Sequence, residues 1–578
     1  MVDVFKRQRG TPAPKCKPAA DRRFWGFWPG SLSAREEDTR REKADRYFRI
    51  RFQRRTAACF FLIAALLFVS SARLLTISGG ENAAAARSQS SIRVEITRPR
   101  GTVFDCSLTP LVNRSTKYIA AVAPTPQAVV ALRAAGLPEE RLEAALDRLE
   151  QKKPAVVELE QPVYAQGITL FSVLDRYGDD MQAVHTVGYL DSDGHGASGI
   201  EKAFDSILYA EEPLSAVYTI DAAGHVLPGV EPEVEGSAGT LNDGVALTLD
   251  SRIQAITEKA TQSFTAGAAV VLEVGTGKIR GMVSCPGFSP DNLADSLQAD
   301  NAPFINRALT AYNVGSIFKP CVAAAALEGG FTKDYGYTCL GHAQIGGRNF
   351  NCNTEEGHGP MTLYPALEKS CNTYFYNLAL QTGADAVYGM AKLLGFGQSR
   401  YLADGIVSDA GRLPNLEVLS VQPAAMANFA IGQGDLMLSP LALCSLYEAV
   451  AGDGAYHAPS LVEGTVKDGV LEPTDPAAPT RVMGADTAAV IRQGLIGVIE
   501  TGTGASARPE KGGAGGKTAT AETGWLRDGR KVLQAWFAGF YPAEEPQYVI
   551  VVLAEDGRSG GSTCAPVFKA ICDGLGGL

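Results

Sequence analysis

No internal repeat and no heptad pattern runs through the 578 residues. The chain is therefore neither a solenoid nor a coiled coil. Positive charge is in deficit: 53 Lys and Arg stand against 63 Asp and Glu, a formal net charge of −10. Phosphate backbones are held by clustered positive charge, so this balance excludes a nucleic-acid partner. The deficit is uneven. Residues 1–55 hold 16 Lys and Arg against 7 Asp and Glu, a net of +9, which leaves −19 for residues 56–578. Charge is absent altogether from Thr56 to Ala72 (TAACFFLIAALLFVSSA), and LLTI continues the run after Arg73.

What is present begins with that run. A helix needs about twenty apolar residues to span a bilayer. Residues 56–77 reach that length if Arg73 snorkels to the interface. The basic side then stays in the cytoplasm, and residues 80–578 lie outside. Two other readings remain open: a buried core helix, or a signal peptide cut near the small residues at 83–87 (AAAAR). Nine of the eleven cysteines, from Cys106 onward, fall outside, where disulfides are permitted. An odd count leaves at least one unpaired or bound to something else.

Four parts follow from composition and pattern, and 46% apolar residues suffice for sizeable cores. Residues 1–55 are a charged tail, disordered except for a helix near 34–55. Residues 56–77 are the anchor. Residues 80–235 form a mixed α/β outer domain, with a helix at 137–151 (LPEERLEAALDRLEQ) and strands with a turn in EEPLSAVYTIDAAGHVL. The Gly-, Pro- and acid-rich stretch 229–244 is a loop at the boundary. Residues 245–578 form an α+β domain: strands at both ends, helices between, and one sheet built from distant pieces. Cys564 and Cys572, eight apart on a predicted helix, lie about 12 Å apart along its axis and cannot pair.

Three short motifs occur in order in that last part. Ser316-Ile-Phe-Lys319 is an S-x-x-K, Ser370-Cys371-Asn372 an S-x-N, and Lys517-Thr518-Ala519 is close to K-T-G. Each alone is weak, and the order and spacing carry the weight. Residues three apart share a helical face, which sets the Lys319 amine beside the Ser316 hydroxyl. A desolvated lysine near a second cation, here Lys517, has a lowered pKa and can act as a base. The plain alternative makes Ser316 and Ser370 helix caps, and Lys319 and Lys517 solvated or edge-strand lysines.

The surrounding segments resemble the penicillin-binding transpeptidases. NRALTAYNVGSIFKP (306–320) resembles their nucleophile box. EKSCNTYFYNLA (368–379), ANFAIGQGDLMLSPLAL (427–443), GGKTATAETG (515–524) and AWFAGFYP (535–542) agree. RPRGTVFDCSLTPLVN (98–113) and HTVGYLDSDGHGASGIEKAFDSIL (185–208) resemble boxes of the monofunctional, class B members. The resemblance implies a serine β-lactamase-like transpeptidase domain, an antiparallel sheet with helices, over a non-catalytic α/β pedestal and one membrane helix. It implies a DD-transpeptidase that cross-links peptidoglycan stem peptides, binds β-lactams and sits in the cytoplasmic membrane. A SEDS-type glycosyltransferase and other wall-synthesis proteins would be its partners. Ser316 would be the nucleophile and Lys319 its base. Ser370 would relay a proton, and Asn372 would hold the peptide or the lysine. Lys517, Thr518 and Thr520 would bind the terminal carboxylate. The backbone N–H groups of Ser316 and Thr520 would form the oxyanion hole.

One residue departs from the pattern: Ala519 stands where the family has Gly, and its methyl is expected to crowd the acyl donor. A weakened or non-catalytic scaffold, a DD-carboxypeptidase and a β-lactam sensor are the rival functions. A bifunctional enzyme would need a glycosyltransferase domain, for which residues 80–235 are too few. The chemistry requires no cofactor. Cys339, Cys352, His358 and Cys371, at gaps of 13, 6 and 13, nevertheless make a closed tetrahedral zinc set. Some elongation-type members hold a metal at a comparable place, with acids where this chain has Cys339 and Cys352. A Cys339–Cys352 disulfide and free buried thiols are the other readings.

Overall fold

The structure, a computed structural model, describes residues 34–78 and 90–578 apart from residues 179, 240 and 528. The chain divides after Gln89 into two units. In the first, a single helix, α1, spans Ala34–Ser78. The expected juxtamembrane helix and anchor are thus one continuous element, because no Gly or Pro interrupts residues 34–78. Its apolar part is exposed, and it is long and apolar enough to cross a membrane. The expected disordered tail over residues 1–33 lies outside the described residues.

The second unit, Ser90–Leu578, opens with two small sheets. Ser91–Thr97 pairs with Leu214–Thr219, which pairs with Glu233–Glu235. Ser115–Val122 is flanked by Ala155–Leu159 and Ile168–Asp175. The 137–151 expectation appears as the helix Glu139–Glu150, which turns Ala145 and Leu149 into the core. Within the expected 229–244 loop, residues 233–235 add a short edge strand, since main-chain pairing is indifferent to the Gly and Pro around it.

The 98–113 and 185–208 boxes meet at a buried charge cluster. Arg100, 7% exposed, reaches Glu201 at 3.0 Å and Asp205 at 2.9 Å. Arg176 Nε and the Tyr177 hydroxyl donate to the other Glu201 oxygen, at 2.7 and 3.0 Å. Glu201 is fully buried, so removing its partners would leave a costly lone charge. A four-stranded sheet carries the contact onward: Thr102–Phe104, Gly244–Leu247, Val462–Lys467, Val470–Pro473. Gly244 has a φ of +157°, and a Cβ there would sit 1.8 Å from the Thr102 carbonyl oxygen, so only glycine allows this approach.

The principal sheet has five antiparallel strands: β1 (Gly267–Glu273), β2 (Ile279–Cys285), β3 (Gly515–Arg527), β4 (Arg530–Tyr541) and β5 (Tyr548–Glu555). Their spatial order is β2-β1-β5-β4-β3, which leaves β3 on an edge. β1, β4 and β5 are apolar on both faces, so the sheet is covered on both sides. Helices α2 (Ser251–Thr261) and α7 (Ala565–Leu575) cover one side. The other side carries the larger core, with α3 (Lys319–Glu328), α4 (Asn372–Thr382), α5 (Pro440–Ala451) and α6 (Ala485–Glu500). Every residue of α5 is buried. This is the expected α+β architecture, a sheet of distant pieces with helices between.

Candidate active site

The candidate nucleophile lies where a short strand becomes a helix. Tyr312–Asn313 pairs with Met437–Leu438, and the Trp536 indole of β4 donates to the Asn313 carbonyl at 2.8 Å. Gly315 then turns at a φ of +63°, Gly315–Phe318 forms one 3-10 turn, and α3 begins at Lys319 with Pro320 behind it. The Gly315 N–H donates to the Gly432 carbonyl at 2.9 Å, and Gly432 itself has a φ of +72°. A Cβ on Gly432 would lie 2.1 Å from the Gly315 oxygen, which explains the glycine of the IGQG segment.

Lys319 is fully buried. Its amine donates to the Ser370 carbonyl at 2.7 Å, the Ser370 hydroxyl at 3.1 Å and Asn372 Oδ1 at 2.8 Å. Two of the three motifs are thereby joined by one nitrogen. The expected direct hydrogen bond to Ser316 is not formed. An ammonium has three donors, and all three are taken by the S-x-N turn. The Ser316 hydroxyl, partly exposed, is bonded to no described residue. Burial lowers the pKa of Lys319 from 10.5 to about 7. Lys517, also fully buried, is held well below its ordinary value by burial first and by the Lys319 charge second. Desolvation thus dominates at both lysines, and the expected repulsion between them adds to it at Lys517.

Ser370 is not a helix cap of the ordinary kind. It follows the helix Leu363–Glu368 in the left-handed region, φ +54°, and Cys371 is the cap of α4. A non-glycine residue there is strained by roughly 1–3 kcal/mol. The same conformation lets both oxygens of Ser370 accept from Lys319. On the edge strand β3, Lys517, Thr518 and Ala519 are all buried, while Thr520 is exposed. Thr520 Oγ1 accepts from the Gly560 N–H at 3.3 Å, and Thr518 Oγ1 lies 3.0 Å from Thr503 Oγ1. An edge strand keeps one row of peptide groups unpaired by its own sheet, available to an added strand.

The Ala519 methyl does not point into open space. Ala519 is 4% exposed, and an ideal Cβ on Gly315 would come 3.4 Å from its Cβ. The methyl thus packs over the bare Gly315 backbone. Thr503 was not read from the sequence. Its N–H donates to the Glu368 carbonyl at 3.0 Å, at the end of the helix that leads to Ser370. The available signal was a threonine between glycines in TGTG, residues 501–504.

Beside this site, Cys339, Cys352, His358 and Cys371 offer ligand atoms all within 4.8 Å of one another. Cys339 Sγ and Cys352 Sγ lie 3.6 and 3.5 Å from His358 Nδ1, and Cys352 Sγ lies 3.8 Å from Cys371 Sγ. These separations match the edges of a tetrahedron with metal bonds of about 2.0–2.3 Å. Cys339 and Cys352 are free thiols, so the disulfide reading is set aside. The Cys371 thiol and the N-terminal N–H groups of α4 hold the Cys352 pKa down, while that of Cys371 is pushed up.

A family profile described as "Penicillin binding protein transpeptidase domain" matches residues 267–573. The chain belongs to this penicillin-binding transpeptidase family. The stage V sporulation protein D of Bacillus subtilis is 30% identical over 406 residues, covering 66% of this chain. The match spans only 60% of the Bacillus protein's length. The peptidoglycan D,D-transpeptidase FtsI of Escherichia coli is 27% identical over 442 residues, 74% of this chain and 71% of FtsI. A solved structure of a peptidoglycan synthase complex superposes with a TM-score of 0.67 at 24% identity, covering 91% of this chain and 98% of that one. That likeness establishes the penicillin-binding protein fold. The class B character read from residues 98–113 and 185–208 agrees with these relatives.

Proposed function

We propose that this penicillin-binding protein is a peptidoglycan DD-transpeptidase working through an acyl-serine. One observation carries the reading: the buried Lys319 amine, three residues after Ser316, is bonded to both Ser370 and Asn372. Ser316 attacks the carbonyl between the two terminal D-alanines of a stem peptide. Neutral Lys319 has two N–H donors and one lone pair, so it releases one S-x-N acceptor and takes the Ser316 proton. Ser370, bonded to the same amine, passes that proton to the departing D-alanine amine. Lys517, Thr518 and Thr520 line the donor's carboxylate on β3. The N–H groups of Ser316 and Thr520 face the oxyanion as it forms. The amine of a second stem peptide then attacks the acyl-enzyme. β-Lactams mimic the donor and stay on Ser316.

The test is fluorescent-penicillin labelling. Wild-type protein should label covalently and Ser316→Ala should not, with unchanged circular dichroism. Labelling of that variant at the wild-type level would move the nucleophile elsewhere. A muropeptide product assay separates cross-linking from D-alanine release to water, the carboxypeptidase reaction.

Cys339, Cys352, His358 and Cys371 suit one structural zinc ion. Three sulfurs and an imidazole are soft donors in tetrahedral array, with no position left for substrate. Cys371 sits between Ser370 and Asn372, so the ion would fix the turn that holds Lys319. In this reading α1 crosses the cytoplasmic membrane with its basic side inside. Residues 80–235 are the non-catalytic pedestal, and residues 245–578 act outside the cell. The family resemblance implies a glycosyltransferase of the SEDS type as membrane partner.

A further inference from the structure

A second site of defined chemistry lies away from Ser316. A cavity of about 430 Å³ opens where residues 177–178 and 181–185 meet α2, the end of β2 and residues 285–291. None of Ser316, Lys319, Ser370, Asn372 and Lys517 lines it. Its volume falls in the range of small-molecule pockets, about 300–1,000 Å³.

Two carboxylates line the cavity, Asp291 and the half-buried Glu258. Glu258 Oε1 accepts from the Ala183 N–H at 2.8 Å and from Gln254 Nε2 at 2.9 Å. Its other oxygen is bonded to no described residue. Among the described residues, no Lys or Arg lines the cavity. The one imidazole there, His185, is joined through Nε2 to the Pro303 carbonyl at 2.6 Å, and burial keeps it neutral, its pKa near 4. Arg307, the nearest guanidinium on the chain that follows, is spent on Glu555 and on the carbonyls of Asn301 and Ala302. The rest of the wall is mixed: Met181, Met282, the Phe288 ring and the Cys285 thiol make a soft apolar part, and Gln262 and Asp291 a polar one. The Phe288 ring is held edge-on by His185 at 5.1 Å. A desolvated carboxylate draws a cation strongly, aromatic faces add cation–π attraction, and thioethers fit an irregular apolar stem.

We propose that this cavity binds a small organic ammonium compound, its charged end on the free oxygen of Glu258 and its apolar stem against Met282 and Phe288. A bare inorganic cation would leave the apolar part of the wall unused, and an anion would meet two carboxylates, Glu258 and Asp291. The segments that line the cavity come from both the 90–235 region and the transpeptidase region. An occupied cavity would therefore tie the two together.

Cys285 provides a reporter within the wall. The full-length protein in detergent is treated with methyl methanethiosulfonate, with and without 2-phenylethylamine, and labelling of the Cys285 peptide is followed by mass. 2-Phenylethanol, of the same shape without the charge, is the control. The amine should slow Cys285 labelling at least fivefold and the alcohol should not, while Cys106 labels at the same rate throughout. Glu258→Gln, which keeps an oxygen for Ala183, should abolish the protection. Phe288→Leu should weaken it several-fold and serves if the first variant does not fold. Cadaverine and an N-acetyl-lysine amide then distinguish a free amine from a peptide-borne one by which protects at lower concentration. Equal protection by amine and alcohol, or protection that persists in Glu258→Gln, would overturn the proposal. Penicillin labelling at Ser316 is read separately, so neither result depends on the other.

Discussion

On the proposed mechanism, the neutral form of Lys319 controls how the acyl-serine forms, and its population follows pH. At the ordinary lysine pKa of about 10.4, about 0.04% of amines are neutral at pH 7. With the pKa lowered to about 7 by burial, half are neutral at that pH. The base is therefore on the order of a thousandfold more abundant than on a solvated lysine. The sign is fixed by the direction of the shift: protonation as pH falls through 7 removes the lone pair and slows acylation. Between pH 6 and pH 8 the neutral fraction rises from about 9% to about 91%, so the acylation rate should rise about tenfold and then level. Stopped-flow acylation by a fluorescent penicillin over pH 5.5–9 measures it. Asn372→Asp adds a sharper check. It sets a carboxylate where Asn372 Oδ1 now lies 2.8 Å from the amine, which favours the ammonium. The inflection should move up by about 1–3 units, and the rate at pH 7 should fall about fivefold or more. A profile flat from pH 6 to 8, or an unshifted inflection in Asn372→Asp, would refute Lys319 as the base.

Purified protein should carry one zinc per chain by elemental analysis. Cys371→Ala or prolonged chelation should remove the zinc, lower the melting temperature and slow acylation, because Ser370 and Asn372 flank that ligand. Ala519→Gly should destabilise by about 1–2 kcal/mol in thermal unfolding, from a lost buried methyl and a looser strand, with no gain in acylation rate. A faster variant would restore the crowding argument. Gly432→Ala should cut penicillin labelling sharply at equal protein level, since its Cβ would strike the Gly315 oxygen beside Ser316.

Much of the molecule was legible in the order of its residues. An uncharged run with basic flanks specifies a membrane-length helix whatever surrounds it. S-x-x-K, S-x-N and K-T-A in sequence named residues that the fold brings near one another: Lys319 bonds to Ser370 and Asn372, and its charge reaches Lys517. The buried pairing of Arg100 with Glu201 lay behind two boxes that could be recognised but not explained. Other facts depended on pieces of chain that meet only when folded. Lys319 bonds to a turn more than fifty residues away rather than to Ser316 in its own helical turn, because the left-handed Ser370 presents two oxygens to it. The Ala519 methyl finds its place over Gly315, some two hundred residues earlier, so a strand pattern alone could not say which way it mattered. Thr503 meets Thr518 only because the turn after α6 crosses the edge strand. The cavity around Glu258 has no sequence signature. A carboxylate becomes unusual through what fails to surround it, and that is decided by packing.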